Sequence, residues 1–481
     1  MTVVVQDLVV THRDRVLIEV PGLRLEPGRA VTVVGESGSG KSLLAHAVMG
    51  TLAPGLTARG RLVLDGAGHD VADQRGRRRL WGRVLALLPQ EPVLALDPTM
   101  RVLPQVAEGV RGAPDRGAAR STAAGLLAGL GLHGEERAWP HTLSGGMAQR
   151  VAFAAATVGG ASVLLADEPS KGLDTRARDE LAGLLRRHVE GGGVLLTITH
   201  DLALARALGG DVVVTHGARV LEQGPVEEVL TRPSDPWTQR LVAADPAGWP
   251  RRSGPDSAGS GSVSGEVLVD ATDLALCYGD KRLVDDLSLR LHRGERVALT
   301  GPSGSGKTTL GDVLLALREP QGGTVRRSPA LDGGRRQKLY QDPAVAYPPR
   351  VALGVGLGDV LRRHRVPARR FEDLLGALRL DPGLLARRPG EVSGGELQRL
   401  AVARAVVLDP VLLFADEPTS RLDLVTQQET MGCLLEQVER HDCALLLVTH
   451  DVALAEAVTD RSVPVGPGAW AAEEREAAPV G

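Results

Sequence analysis

The octet Gly35-Glu36-Ser37-Gly38-Ser39-Gly40-Lys41-Ser42 has a second copy in the same chain, Gly301-Pro302-Ser303-Gly304-Ser305-Gly306-Lys307-Thr308. Both fit G-x-x-x-x-G-K-[ST], a loop whose backbone N–H groups wrap phosphate oxygens. Each copy follows an apolar run of strand character, residues 30–34 and 297–300, and opens a stretch of helical period, residues 43–49 and 309–317. A strand, loop and helix in that order point unpaired N–H groups and the positive end of a helix dipole at an anion. One such octet could be a glycine-rich turn. Two, with matching landmarks downstream, commit the chain to a pair of α/β halves, each built around a phosphate site.

Length alone, 481 residues, suggests about three domains; the repeat reduces that to two large ones. Hydrophobic content of 43% with only 2% aromatics means that cores of Val, Leu and Ala are expected. A net charge of −3 supplies no general basic footprint for nucleic acid or an anionic membrane. Lysine is scarce, yet each phosphate loop has one, where a compact ammonium suits a point contact with phosphate. Cys277, Cys433 and Cys443 form no C-x-x-C pair, which argues against a disulfide framework or zinc site and fits a reducing cytosol. The first residues show no secretory signal. The longest uncharged span, between Arg150 and Asp167, is too short and glycine-broken to cross a bilayer. Any membrane-spanning part is therefore expected from another chain.

The downstream landmarks repeat in order. Residues 84–88 form a candidate buried strand that ends near Gln90, and Leu339-Tyr340-Gln341 replays it. Leu143-Ser144-Gly145-Gly146 is matched by Val392-Ser393-Gly394-Gly395. The apolar run ending in Asp167-Glu168-Pro169 is matched by the one ending in Asp416-Glu417-Pro418. A further strand closes on His200, and its counterpart closes on His450. Between the halves, a Gly/Ser/Pro-rich stretch reads as a flexible linker.

The two Ser-Gly-Gly sequences, with the loops, glutamines, Asp-Glu pairs and histidines, resemble the motif set of the ATP-binding-cassette (ABC) ATPases, in the family's order and twice over. The resemblance implies two tandem P-loop ABC cassettes of α/β class. Each would have a RecA-like core, an antiparallel β subdomain and an inserted helical subdomain. The expected division is a first cassette at 1–243, a linker at 244–265, a second cassette at 266–465 and a disordered tail at 466–481. The cofactors implied are ATP and Mg²⁺.

In that family two cassettes sandwich two ATPs, each held by one cassette's phosphate loop and the other's Ser-Gly-Gly signature. One composite site is thus expected from Gly35–Ser42, Gln90, Asp167, Glu168 and His200 with Ser393, Gly394 and Gly395. The other combines Gly301–Thr308, Gln341, Asp416, Glu417 and His450 with Ser144, Gly145 and Gly146. By the same resemblance, Ser42, Thr308, Asp167, Asp416 and the two glutamines ligate or sense Mg²⁺. Glu168 and Glu417 polarise the attacking water, and His200 and His450 contact the γ-phosphate. Phosphoryl transfer is chiefly positioning and charge compensation, which is what such residues provide. Tyr278 stands where the family stacks an aromatic on adenine; His12 occupies that place in the first half. Glu396 follows the second signature where glutamine is commoner.

Gln90-Glu91-Pro92 with Leu96-Asp97-Pro98-Thr99-Met100, Gln341-Asp342-Pro343, and Gly224-Pro225 leading to Asp235-Pro236-Trp237-Thr238 are similar to oligopeptide, dipeptide and nickel importer ATPases. That subfamily implies a motor on the cytoplasmic face of the membrane, driving two transmembrane permease subunits. An extracytoplasmic binding protein would be an indirect partner, and no nucleic acid is expected. Residues 91–105 and 342–358 are the expected permease-docking surface, or else cover the helical subdomain's own core. The competing reading is a soluble tandem cassette acting on ribosomes or nucleic acid. Such proteins usually carry a charged helical linker or a basic arm, which this sequence lacks.

Overall fold

The computed structural model describes residues 1–36, 38–252, 265–279 and 281–466. Ser37 of the first phosphate loop, linker residues 253–264 and tail residues 467–481 lie outside the described residues. Contacts separate the chain into two units, Met1–Ala243 and Ala244–Gly481.

The first unit contains β1 (Val3–His12), β2 (Arg15–Leu25), β3 (Ala30–Gly35), β4 (Leu56–Leu64), β5 (Ala67–Asp70), β6 (Leu85–Leu88), β7 (Val163–Asp167), β8 (Val194–Thr199), β9 (Asp211–His216) and β10 (Arg219–Pro225). They form one sheet in the order β5-β4-β1-β2-β10-β9-β3-β8-β7-β6. Strands β6, β7, β8, β3 and β9 are mutually parallel. Every residue of β3, β7 and β8 is buried, because helices and antiparallel strands cover both faces; their near-continuous apolar sequences follow from that. Alternate side chains serve two cores. Val163 and Leu165 face the antiparallel strands and the helix Lys41–Met49. Leu164 and Ala166 face the helices Val102–Glu108, Arg116–Gly129, Gly145–Thr157 and Thr175–Glu190. Among the described residues, the antiparallel β1, β2 and β4 join this parallel core through β10, which pairs with β9 and bridges β2 at Arg219 and Glu19.

The second unit contains β11 (Val267–Tyr278), β12 (Lys281–His292), β13 (Arg296–Thr300), β14 (Gly322–Arg327), β15 (Arg336–Leu339), β16 (Leu412–Asp416), β17 (Ala444–Val448) and β18 (Arg461–Pro464). Its parallel sheet, β15-β16-β17-β13-β18, repeats the order of the first unit's core. Its antiparallel strands form a separate sheet, β12-β11-β14. Among the described residues no counterpart of β10 joins the two.

The stretch expected to be linker is partly folded. Pro246–Gly248 makes a 3-10 turn and Trp249 packs on the second unit's core. Arg252 Nε donates to Asp460 Oδ1 at 2.7 Å, and Arg251 pairs with Glu456 at 3.1 Å. An indole and two guanidiniums found partners that Pro/Gly composition alone does not reveal.

The expected docking segments also divide. Leu96, Val102, Leu353, Leu357 and Tyr347 are buried in their own units, whereas Leu94 (78%) and Val345 (68%) are largely exposed.

Candidate active sites

In the first unit β3 delivers the phosphate loop to the start of the helix Lys41–Met49. Gly35 (φ +156°) passes so close to β9 that a methyl group would lie 2.1 Å from the Thr215 carbonyl oxygen. Gly40 caps the helix at φ +86°, where a methyl would lie 2.2 Å from the Leu17 carbonyl oxygen. Those two positions exclude any side chain. Lys41 Nζ donates to the carbonyls of Gly35 and Glu36 at 2.8 and 2.6 Å. The second loop is built alike: Lys307 Nζ donates to the carbonyls of Gly301 and Pro302, both at 2.8 Å. Each ammonium is thus held at the loop's mouth by two backbone carbonyls.

The carboxylates lie at the C-terminal ends of β7 and β16. Ser42 Oγ donates to Asp167 Oδ1 at 2.8 Å, and Thr308 Oγ1 to Asp416 Oδ1 at 3.1 Å. Burial raises both aspartates above their ordinary pKa, against the pull of the hydroxyl bonds. Each pair offers a hydroxyl and a buried carboxylate, hard oxygen donors of the kind that fit Mg²⁺.

One residue on, Glu168 and Glu417 adopt left-handed backbone, φ +45° and +46°. They are held there by bonds from their N–H groups to the Ile198 and Val448 carbonyls, at 2.7 and 2.9 Å. A left-handed glutamate is uncommon and strained. The turn swings its carboxylate toward the end of the neighbouring strand, where the histidine sits. His200 Nδ1 lies 2.8 Å from Glu168 Oε2. His450 meets Glu417 through Nε2 instead. Burial opposes both charges of the first pair. The hydrogen bond and mutual attraction outweigh it, so that Glu168 is held below and His200 above its ordinary pKa. Gln341 Nε2 donates to Glu417 Oε2 at 2.7 Å, while Gln90 lies half-buried after β6.

Loop, carboxylates, histidine and, in the second unit, glutamine are thus brought together locally. Each signature serine caps a helix of its own unit. Ser144 caps the helix Gly145–Thr157, accepting from Met147 N at 3.3 Å. Ser393 caps the helix Gly394–Val406, and there Glu396 completes a reciprocal capping box, its Oε2 accepting from Ser393 N and Oγ at 2.8 Å each. Those bonds hold Glu396 below its ordinary pKa. Met147 has no carboxylate to do the same. Tyr278, at the end of β11, is 70% exposed, against the usual burial of an aromatic body; His12, at the matching end of β1, is exposed as well.

Sequence reading missed three features. The strained backbone of the two glutamates has no signal in residue type. His216 Nδ1 approaches Glu36 of the first loop to 2.6 Å, and its ring stacks on Trp237 at 4.5 Å. The Asp-Pro-Trp-Thr segment marks Trp237 as notable without indicating that it stacks on the histidine beside the loop. Lys338 lies near Asp416, and nothing in its local sequence points there.

The ABC transporter family model matches residues 19–171 and 284–420, which span both phosphate loops and both Asp-Glu pairs. The peptidoglycan transport ATP-binding protein YejF of Agrobacterium fabrum is 32% identical over 475 residues, 91% of this chain and 85% of that one. The glutathione import ATP-binding protein GsiA of Pectobacterium atrosepticum is 31% identical over 495 residues, 91% and 80% of the two chains. Among solved structures, an RNase-L inhibitor superposes with a TM-score of 0.67 at 23% identity, covering 95% of this chain and 87% of that one; at that identity the likeness concerns the fold. Two matched regions and relatives aligned along nine-tenths of the sequence place the chain in the ABC transporter family, as an ATPase with two ATP-binding cassettes.

Proposed function

We propose that this chain is the ATP-hydrolysing motor of an ABC importer for peptides, nickel or related small solutes. It drives two separate permease subunits from the cytoplasmic face of the membrane, with an extracytoplasmic binding protein delivering the solute. The observation that carries this reading is the presence of a complete loop, Asp-Glu and histidine set in each half of a chain aligned along nine-tenths of its length with import and transport ATP-binding proteins. The described residues contain no helix long and apolar enough to cross a membrane. Exposed Val93 and Leu94 follow Gln90 in the first unit, and exposed Val345 and Val355 follow Gln341 in the second; each unit thus offers apolar side chains to a permease.

In this reading Lys41 and Lys307 bind the β- and γ-phosphates, assisted by the N–H groups of their loops and the helix dipoles. Ser42 with Asp167, and Thr308 with Asp416, would hold Mg²⁺, which would supply charge compensation to the phosphates. Glu168 and Glu417 orient the attacking water and take its proton, and His200 and His450 hold those carboxylates in place and face the γ-phosphate. Tyr278 carries the adenine of the second site. The signatures, Ser144–Gly146 and Ser393–Gly395, each complete the site begun by the other cassette once ATP is bound.

A soluble role on ribosomes or nucleic acid has only fold-level likeness behind it. Affinity purification of the tagged chain from its native membranes decides between the two. Two integral membrane proteins should copurify, with turnover lost in Glu168→Gln and Glu417→Gln. Cofractionation with ribosomes and no permease would overturn the proposal.

A further inference from the structure

The two units share their motifs but differ beneath the metal-binding carboxylate. Lys338 lies opposite Phe414 in the register of β15 with β16; the residue in that place in the first unit is Leu87, opposite Leu165. Asp312 lies five residues after the loop lysine Lys307, where the first unit has His46 after Lys41. In the second unit these exchanges meet. Lys338 Nζ is 2.6 Å from Asp312 Oδ1 and 4.0 Å from Asp416 Oδ2, with its side chain only 10% exposed. The ammonium also lies over the rings of Phe414 (5.2 Å) and Tyr340 (5.3 Å), so its position is fixed by packing as well as by charge. Tyr340 directly precedes Gln341, whose amide bonds Glu417.

Asp416 is therefore engaged on both oxygens. Oδ1 accepts from Thr308, and Oδ2 is turned toward a fixed cation. Asp167 has the same hydroxyl bond, but a leucine occupies the place of the cation. A buried charge at this distance is poorly screened by salt, and it both attracts the carboxylate and repels a divalent ion approaching it. Asp312 offsets part of that repulsion, so the expected effect is moderate.

We infer that Lys338 is a positioning residue of the second site, a built-in ammonium that shares Asp416 with the divalent cation and makes this site bind the cation more weakly than the first. The inference rests on the reading that Asp416 binds Mg²⁺ with ATP. It makes the two sites of one chain inequivalent although their motifs are complete in both, and it places the source of the difference on β15, directly before the glutamine segment.

The test uses the full chain carrying Lys41→Ala, so that nucleotide binding reports the second site. A fluorescent ATP analogue is held constant while Mg²⁺ is titrated, and the half-saturating Mg²⁺ concentration is read. Lys338→Met should lower it about three- to tenfold, and Asp312→Asn, which releases the ammonium toward Asp416, should raise it. An unmoved Mg²⁺ requirement in Lys338→Met, whatever its melting temperature, overturns the inference and leaves a merely structural ion pair. Asp416→Asn serves as the reference: if it too leaves the requirement unchanged, the metal reading of Asp416 has failed and the inference falls with it. Should Lys338→Met not fold, the reverse transplant decides. His46→Asp with Leu87→Lys, in a Lys307→Ala chain, should raise the Mg²⁺ requirement of the first site, and no change there overturns the inference.

Discussion

His200 reaches Glu168 through Nδ1 at 2.8 Å, and its own backbone N–H lies 3.3 Å from the same carboxylate oxygen. The pair closes the end of β8 onto the turn after β7, so one contact both locks two parallel strands and aims a candidate base.

That pair has a pH signature. Glu168 is held below its ordinary value, so its contribution is present above about pH 4.3 and is lost as pH falls through the lowered folded value. His200 is raised, so its contribution is full below about pH 6.5 and is lost as pH rises through the raised folded value. Stabilisation is therefore greatest between those limits. The first unit should lose about 1–2 kcal/mol on going from pH 6.5 to 9, measured as its urea transition, and Glu168→Gln should flatten that dependence. An identical pH profile in the variant would contradict the ion pair.

The left-handed glutamates predict an inverted glycine–alanine order. At an ordinary position glycine is the less stable of the two, but at φ +45° and +46° the missing Cβ relieves strain. Glu168→Gly should be more stable than Glu168→Ala by about 1 kcal/mol, and Glu417→Gly likewise, while both glycine variants lose ATP turnover. Chemical denaturation of the four variants checks the order.

The phosphate-loop glycines should separate into two classes. Gly38 has φ +82° with nothing within 4 Å of where a methyl group would sit, whereas Gly35 and Gly40 have backbone oxygens at 2.1 and 2.2 Å. Gly38→Ala should cost about 1 kcal/mol, the backbone term alone. Gly35→Ala and Gly40→Ala should cost about 3 kcal/mol or more and abolish nucleotide binding. Equal costs across the three would remove the packing argument.

In the second unit Phe414 lies against Gly311, where a methyl would meet the ring at 2.1 Å. The first unit uses Ala45 and Leu165 in the same places. Gly311→Ala should destabilise the second unit by about 1–3 kcal/mol, and adding Phe414→Leu should recover most of it. A double-mutant cycle by thermal unfolding measures the coupling; additive effects would show that the two residues do not share the space.

Exposed Tyr278 should matter to nucleotide and little to stability. Tyr278→Ala is expected to weaken ATP-analogue binding at the second site roughly three- to tenfold, while thermal unfolding changes by less than about 0.5 kcal/mol. Fluorescence titration in a Lys41→Ala chain reads that effect.

Residue type and spacing along the chain sufficed for the motif order and the two-unit organisation, and they singled out each loop lysine, aspartate, glutamate and histidine as a candidate. Phosphate loops and strand-end carboxylates are local devices: a glycine that must turn, or an acid that ends an apolar strand, shows itself in its immediate neighbours. Contacts between residues distant in sequence needed the fold. Trp249 and Arg252 left the linker for the second unit because partners on remote helices and strands outweighed local composition. Trp237 came to stack on His216 in the same way, and Lys338 was brought beside Asp416 by β-sheet register. The left-handed turns of Glu168 and Glu417 are also set from outside, by carbonyls of the adjacent strands. The sequence by itself determined which chemical groups this protein has and in what order. The tertiary structure decided which charges meet, because Coulomb energy and hydrogen bonding depend on separations of a few ångströms that chain order does not contain.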